Sequence, residues 1–421
     1  MGDLRVAIDA RLRPGISGGV ESVIIGLVRA LSAFTDGHER YDVMVRSDAP
    51  DWITPFVSGA VGLLPASDRV RRWRAVAKRV AGSSSSRLGA AWRRRPLLPG
   101  EVVGGPPPSD GTIERAGTDV MHFTIQRGFR TDIPSIYHPH DLQHIHLPHF
   151  FSARERAVRD RWYHELAAQA ALVVVGTTWV RDDVVRNLDV APDRVAVVPW
   201  APVLSAYPVP DSDEVVAIKE RLRVPSGFVL YPAQTWPHKN HIGLVQAVAE
   251  LRRRARLDIP LVFSGRQTEH AAVIRRRATR LGVGDLLHWT GFVSPLDLQA
   301  LYQMARAVVI PTRFEAASGP LWEAFLAGVP AACSNVTSLP AQAGDAALVF
   351  DPDDIDAMAG AVQRLWLDDD LRTDLVARGA ANVRRFSWDR TARLFRAHYR
   401  QIAGRSLSTD DRRLLQEPPL L

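Results

Sequence analysis

Apolar residues along this chain come in two rhythms. Short runs rich in apolar residues occupy 4–10, 41–46, 60–64, 119–124, 135–137, 172–176 and 195–199, and then 228–232, 260–264, 286–290, 307–311, 330–333 and 347–350. Between them apolar residues recur at helical spacing, as at 20–34, 152–171 (capped by Ser152), 177–189, 354–369 and 371–386. The first rhythm belongs to strands covered on both faces, the second to helices with one buried side. Their alternation predicts an α/β fold with a parallel, doubly wound sheet. The Pro-rich stretch 201–210 reads as a hinge, so two such halves are predicted, 1–205 and 206–386, with no sequence repeat between them. Their ligand-binding edges are expected to face each other across a cleft. Ser387 and Trp388 open a last helix, 387–404, and the charged, Pro-containing tail 405–421 is expected to fray.

Composition narrows this picture. With 421 residues and 46% hydrophobic content the chain has material for two cores. A single cysteine, Cys333, allows no intrachain disulfide and fits a reducing cytoplasm. No apolar run is long enough to span a bilayer, and the first residues enter a strand directly, unlike a signal peptide. The net charge of +7 is unevenly spread: 69–95 carries ten Lys or Arg, with Trp73 and Trp92 and no acidic residue. Two readings stand for that segment. It is a solvated insertion with Ser83 to Ser86 as its flexible middle, or a basic amphipathic segment that touches an anionic membrane or a pyrophosphate-bearing lipid. Residues 96–111, rich in Pro and Gly, read as a surface loop.

Candidate chemistry sits at the C-terminal ends of the predicted strands. Gly15, Gly18 and Gly19 lie between the first strand and its helix, the place of a phosphate cradle. Their spacing is not G-x-G-x-x-G and no acidic ribose ligand follows, which argues against a NAD site. Five histidines fall within 138–149. They read as a metal site, a polar surface loop, or an active-site histidine at a strand end, with His138 and His140 expected on one strand face beside Asp141 and His144. Lys239, after 228–232, is placed to open the next helix, where ammonium and helix terminus act on one anion. The centre of the pattern is 314–328: Glu315 and Glu323 stand eight positions apart with Ser318, Gly319 and Pro320 between them, after a strand and at a helix start. Pro320 suits the first helical position. Two carboxylates flanking free backbone donors make a site for a polyol joined to a phosphate.

The Glu-x7-Glu element, with Lys239-Asn240, the His140-Asp141 pair followed by Pro148 to Ser152, and Asn335 to Pro340, resembles the retaining glycosyltransferases of family 4 over residues 4–404. The resemblance implies the GT-B fold, two Rossmann-like domains facing across a cleft, with the last helix crossing back to the first. It implies that Glu323 holds the ribose and Glu315 the donor sugar. The amides of Ser318, Gly319 and Leu321 would hold sugar and phosphate, and Gly18 and Gly19 would close over the diphosphate bound by Lys239. His140 would lie beside the transferred sugar, and Gly291, Phe292 and Val293 would read the nucleobase. Many relatives place an Arg shortly before the lysine. Residues 233–238 contain none, so the second cation is Arg266 or is missing.

The expected enzyme is therefore a metal-independent glycosyltransferase of the EC 2.4 class that needs no cofactor. It would move a sugar from a UDP- or GDP-sugar to a glycan or glycoconjugate acceptor with retention. It is expected in the cytoplasm or peripherally on the inner membrane face, without nucleic acid as partner. No second carboxylate pair of the glycosidase type is present, so a covalent double displacement is not favoured. The rival from another class is a non-catalytic nucleotide-sugar-binding protein attached to an anionic surface through 69–95. A sugar-nucleotide epimerase or a NAD-linked oxidoreductase is a weaker rival.

Overall fold

The computed structural model describes residues 3–15, 18–66 and 103–421, so the basic segment 69–95 and the start of the 96–111 loop lie outside the described residues. The chain forms two compact units: residues 1–199 with 388–419, and 200–387 with 420–421. The division falls a few residues before the expected 205.

The first unit is built on a seven-stranded sheet: β1 (Leu4–Asp9), β2 (Glu39–Val45), β3 (Val61–Pro65), β4 (Val120–Phe123), β5 (Ser135–Tyr137), β6 (Leu172–Val175) and β7 (Val195–Val197). Its order is β3-β2-β1-β4-β5-β6-β7 and every pairing is parallel. Parallel neighbours need a crossover between them. The helices Gly19–Ser32, Ala153–Gln169 and Thr178–Asn187 lie in these connections. Ser152 and Glu155 form a reciprocal capping box that starts the second of them.

The helix Trp388–Ile402 belongs to this unit and buries Ala392, Phe395, Ala397 and Tyr399. Thr391 ties its start to β7's exit by donating to the Pro199 carbonyl at 2.7 Å. Gly26 of the Gly19–Ser32 helix lets the two helices meet, since a Cβ there would fall 2.0 Å from the Trp388 ring. The tail does not fray as expected. Residues Thr409–Gln416 form a helix capped by Ser408 and Asp411. It is held by ion pairs from Arg400 to Asp411 at 2.7 Å and from Arg390 to Glu417 at 2.6 Å. The polar composition hid this helix because charged tertiary partners, rather than an apolar stripe, hold it.

The second unit has six parallel strands: β8 (Val229–Pro232), β9 (Leu261–Ser264), β10 (Leu287–Gly291), β11 (Ala307–Ile310), β12 (Ala331–Ser334) and β13 (Ala347–Phe350). Their order is β10-β9-β8-β11-β12-β13. β9, β11 and β12 are buried at every position, which is why they read as runs rich in apolar residues.

Candidate active site

Strand order in the second sheet reverses between neighbours β8 and β11. Chains leaving these two ends run in opposite directions, which opens a crevice at the edge where such sheets take ligands. Lys239 follows β8 and Glu315 follows β11, and they meet there: the Lys239 ammonium donates to Glu315 Oε2 at 2.6 Å. Both side chains keep some exposure, 21% and 16%. Lys239 does not open the helix, as the sequence suggested. It ends a single turn, Pro237–Lys239, and Asn240, left-handed at φ 55°, caps the helix His241–Ala255 through the Gly243 amide. The turn intervenes because β8 ends in a Pro-containing stretch that must bend before a helix can start. Tyr231 fixes the lysine backbone by donating to its carbonyl at 2.9 Å.

Small residues make the 315–318 turn narrow but leave it without side chains to hold itself. Side chains from the turn after β12 do so. Thr337 accepts from the Glu315 amide and donates to its carbonyl, and Ser338 donates to the carbonyls of Glu315 and Ala316. Gln342 clamps Ser318, accepting its amide at 2.8 Å and donating to its carbonyl at 2.6 Å. The Ser318 amide is therefore not a free donor, a correction to the sequence reading. Its hydroxyl is buried with no partner among the described residues. The helix Gly319–Leu326 starts one residue earlier than expected, so Pro320 is second rather than first. The amides that this helix start leaves unpaired are those of Gly319 and Leu321.

Glu323, one turn in, is 8% exposed. The Tyr302 hydroxyl donates to its Oε2 at 2.8 Å. Burial pushes this carboxyl up to about 7, against the pull of the Tyr302 hydrogen bond. Arg266 is exposed after β9, and the Thr235 amide donates to its carbonyl at 3.2 Å, which sets its backbone against the loop leading to Lys239. Its guanidinium makes no hydrogen bond to Lys239 or Glu315. Phe292, after β10, is 69% exposed, with Val293 half-buried beside it. Arg313, a cation the sequence reading passed over, is committed to Asn240 at 2.9 Å and Asp353 at 2.7 Å.

A second cluster lies in the first unit, whose order reverses between β1 and β4. Gly18 caps the Gly19–Ser32 helix at φ 60° and ψ −142°, a conformation glycine alone takes readily. Glu21, in the first turn, accepts the Gly15 amide at 2.9 Å, and burial raises its carboxyl. A carboxylate thus already shares the expected phosphate cradle. Thr124, after β4, donates to the Asp9 carbonyl, and His140 Nε2–H donates to the Thr124 carbonyl at 2.7 Å. His140 is left-handed at φ 61° and buried, and burial lowers its pKa, which favours the neutral ring.

His138 stays beside His140, with ring centroids 5.5 Å apart, while His144 and His146 turn to other partners. His138 pairs with His122 at 3.0 Å, which reaches the Tyr399 hydroxyl at 2.6 Å. His144 packs against Tyr163 and Phe151, and His146 reaches Asp183 at 2.8 Å. Asp141 accepts the Gln143 amide at 3.2 Å. Among the described residues no group of three or more His, Cys, Asp or Glu is placed to hold a metal ion.

The family model of the glycosyl transferases group 1 matches residues 216–381, a span that contains Lys239, Arg266, Phe292, Glu315 and Glu323. The O-antigen chain mannosyltransferase B of Escherichia coli is 32% identical over 269 residues, 61% of this chain and 70% of that protein. The chain belongs to the glycosyl transferases group 1. A second relative, the serotype-specific mannosyltransferase WbdA of Escherichia coli, is 29% identical over 54% of this chain but only 28% of its own length. The crystal structure of Anabaena HepE in complex with UDP and glucose superposes with a TM-score of 0.66 at 15% identity, covering 94% of this chain and all of that one. The two Rossmann-like parallel sheets of this group-1 glycosyltransferase are accordingly those of the GT-B fold. Among the described residues no helix of this enzyme is long and apolar enough to cross a membrane.

Thr337 and Ser338 lie in the Asn335–Pro340 segment that carries the resemblance, but their hold on the 315–318 turn is not legible in it; Tyr302 and Gln342 lie outside every motif and reach the site from other βα units.

Proposed function

We propose that this glycosyltransferase moves a mannosyl group from a nucleoside-diphosphate mannose to a hydroxyl of a glycan, with retention and without a metal ion, as in family 4. Mannose and the glycan acceptor follow the relatives' names. The observation that carries the reading is the Lys239–Glu315 pair at the sheet's reversal point, with the unpaired amides of Gly319 and Leu321 one turn away.

A diphosphate outcompetes a single carboxylate for Lys239, and charge growing on the leaving group is stabilised by the ammonium and the two amides. These groups supply the positive charge a divalent ion would bring. Glu315, released from Lys239, accepts hydroxyls of the sugar, and Glu323 accepts those of the ribose. Phe292 offers a face for the base, uracil or guanine, and Arg266 supplies distant positive charge. The acceptor attacks from the side of the departing phosphate, whose oxygen takes its proton. In the first unit His140 is proposed as a hydrogen-bonding partner of a sugar hydroxyl, and the Gly18-Gly19 turn as a phosphate-binding loop. The basic segment 69–95 is proposed to hold the enzyme at an anionic membrane surface.

Titration calorimetry with GDP and UDP, beside turnover of GDP-mannose and UDP-glucose with and without chelator, tests this. Glu323→Ala is expected to weaken binding of the preferred nucleotide by about 1.5–3 kcal/mol, the range for a hydrogen bond to a charged group. His140→Ala is expected to lower turnover while nucleotide affinity stays. Unchanged affinity in Glu323→Ala, or activity abolished by chelator, defeats the corresponding assignment.

A further inference from the structure

Tyr302 was not among the residues the sequence singled out, yet it is the side chain hydrogen-bonded to Glu323. It stands on the helix Pro295–Met304 and is fully buried. Its hydroxyl lies 2.8 Å from Glu323 Oε2 and 3.3 Å from the Pro320 carbonyl. The other carboxylate oxygen, Oε1, lies over the start of the Gly319–Leu326 helix, 3.9 Å from where a Cβ on Gly319 would be. We propose that Tyr302 is a positioning residue for the donor nucleotide: it occupies one oxygen of Glu323 and turns the other toward the ribose. The inference rests on the reading of Glu323 as the ribose ligand.

A phenol has one proton and here two acceptors. When Glu323 is ionised the proton goes to Oε2. When Glu323 is protonated, Oε2–H donates to the phenol oxygen and the phenol proton turns to the Pro320 carbonyl. Tyr302 thus satisfies both states of a carboxyl that burial has pushed up to about 7. A ribose brings two hydroxyl donors, so it binds the ionised form better.

Other charged groups near this helix are spoken for. On the packed helix Asp369–Val383, Arg372 pairs with Asp369 and Arg378 with Asp374. On Tyr302's own helix, Asp297 pairs with Arg221. Glu315 pairs with Lys239. Strand β11 and the turn Val203–Ala206 contribute no titratable side chain, and β12 contributes Cys333, whose thiol burial pushes up to about 12. Asp370 lies on an exposed turn of the packed helix.

Because binding favours the ionised carboxylate, affinity is full above the carboxyl's pKa and falls about tenfold per pH unit below it. Removing the phenol O–H takes away the bond that favours ionisation, so the midpoint must move up. The probe is a nucleotide sugar, GDP-mannose or UDP-glucose, because its phosphates do not titrate near neutrality. Affinity is measured between pH 5.5 and 9.5 on the full chain and on Tyr302→Phe and Glu323→Gln, with circular dichroism to check folding.

For the unaltered enzyme affinity is expected to decline below about pH 7. Tyr302→Phe is expected to shift the midpoint up by roughly one unit, leaving binding about fivefold weaker at neutral pH and restored at the alkaline end. Glu323→Gln is expected to bind weakly with a flat profile. A Tyr302→Phe protein with an unmoved midpoint, or with an equal loss at every pH, overturns the role of Tyr302. A Glu323→Gln protein that keeps the original profile overturns the ribose reading instead. Should Tyr302→Phe not fold, 3-fluorotyrosine placed at position 302 decides: its more acidic phenol donates a stronger hydrogen bond, so a midpoint moved down supports the proposal and an unmoved midpoint overturns it.

Discussion

Lys239 and Glu315 satisfy each other at 2.6 Å, yet the proposed reaction asks each to serve a different part of the donor. The carboxylate is therefore a competitor for the diphosphate and a partner for the sugar. Glu315→Gln should separate the two roles, because an amide keeps the shape but frees the ammonium. Binding of the sugar-free nucleoside diphosphate is expected to tighten by about 0.5–1 kcal/mol, the scale of a partly exposed ion pair. Turnover of the nucleotide sugar is expected to fall. Weaker binding of the plain diphosphate in calorimetry would show that the pair supports the anion site rather than competing with it. These two residues were legible because each follows a strand by a fixed, short interval. Gln342, which clamps the same turn, was not, since contact between successive βα turns leaves no trace in local spacing.

At the scale of elements, the thirteen strands among the described residues were legible because a parallel sheet covered on both faces favours short runs rich in apolar residues. Helix starts were less so. The helix expected at Lys239 waits for the left-handed Asn240, and that at Pro320 begins at Gly319, since caps depend on backbone angles that several residues can adopt. Two helical glycines make the energetics testable. Gly26 faces the Trp388 ring, whose atoms would come within 2.0 Å of an added Cβ, whereas Gly360 in the helix Ile355–Leu367 has open space around it. Alanine favours a helix over glycine by about 1 kcal/mol, so Gly360→Ala is expected to raise the melting temperature. Gly26→Ala gains the same propensity but must displace an indole, and a net loss of about 1–3 kcal/mol is expected. Urea melts of both variants check this, and equal shifts would mean that Trp388 has room to yield.

Over the whole molecule, the two-sheet plan was legible from alternation alone, but the distribution of buried charge-bearing groups between the units was not. The first unit buries His122, pushed down to about 3, His138, far below its ordinary value, and His398, near 4, all through desolvation. Unfolded, each would titrate near 6.5. Below that pH the unfolded chain binds protons that the folded unit refuses. Stability is therefore full above about pH 6.5 and declines as the pH falls, by about 1.4 kcal/mol per pH unit for each such histidine. Glu21, raised by burial, offsets only part of this.

In the second unit, His238 and His241 act in the same direction, but Glu323 at about 7 acts against them: its burial costs stability as the pH rises above its ordinary 4.5, and acid relieves that cost. The first unit should accordingly yield first in acid. Hydrogen exchange at pH 7.5 and pH 5.5 is expected to show protection falling earlier in β4, β5 and the helix Trp388–Ile402 than in β8 and β11. If the second sheet opens first, burial of the histidines does not set the acid limit of this enzyme.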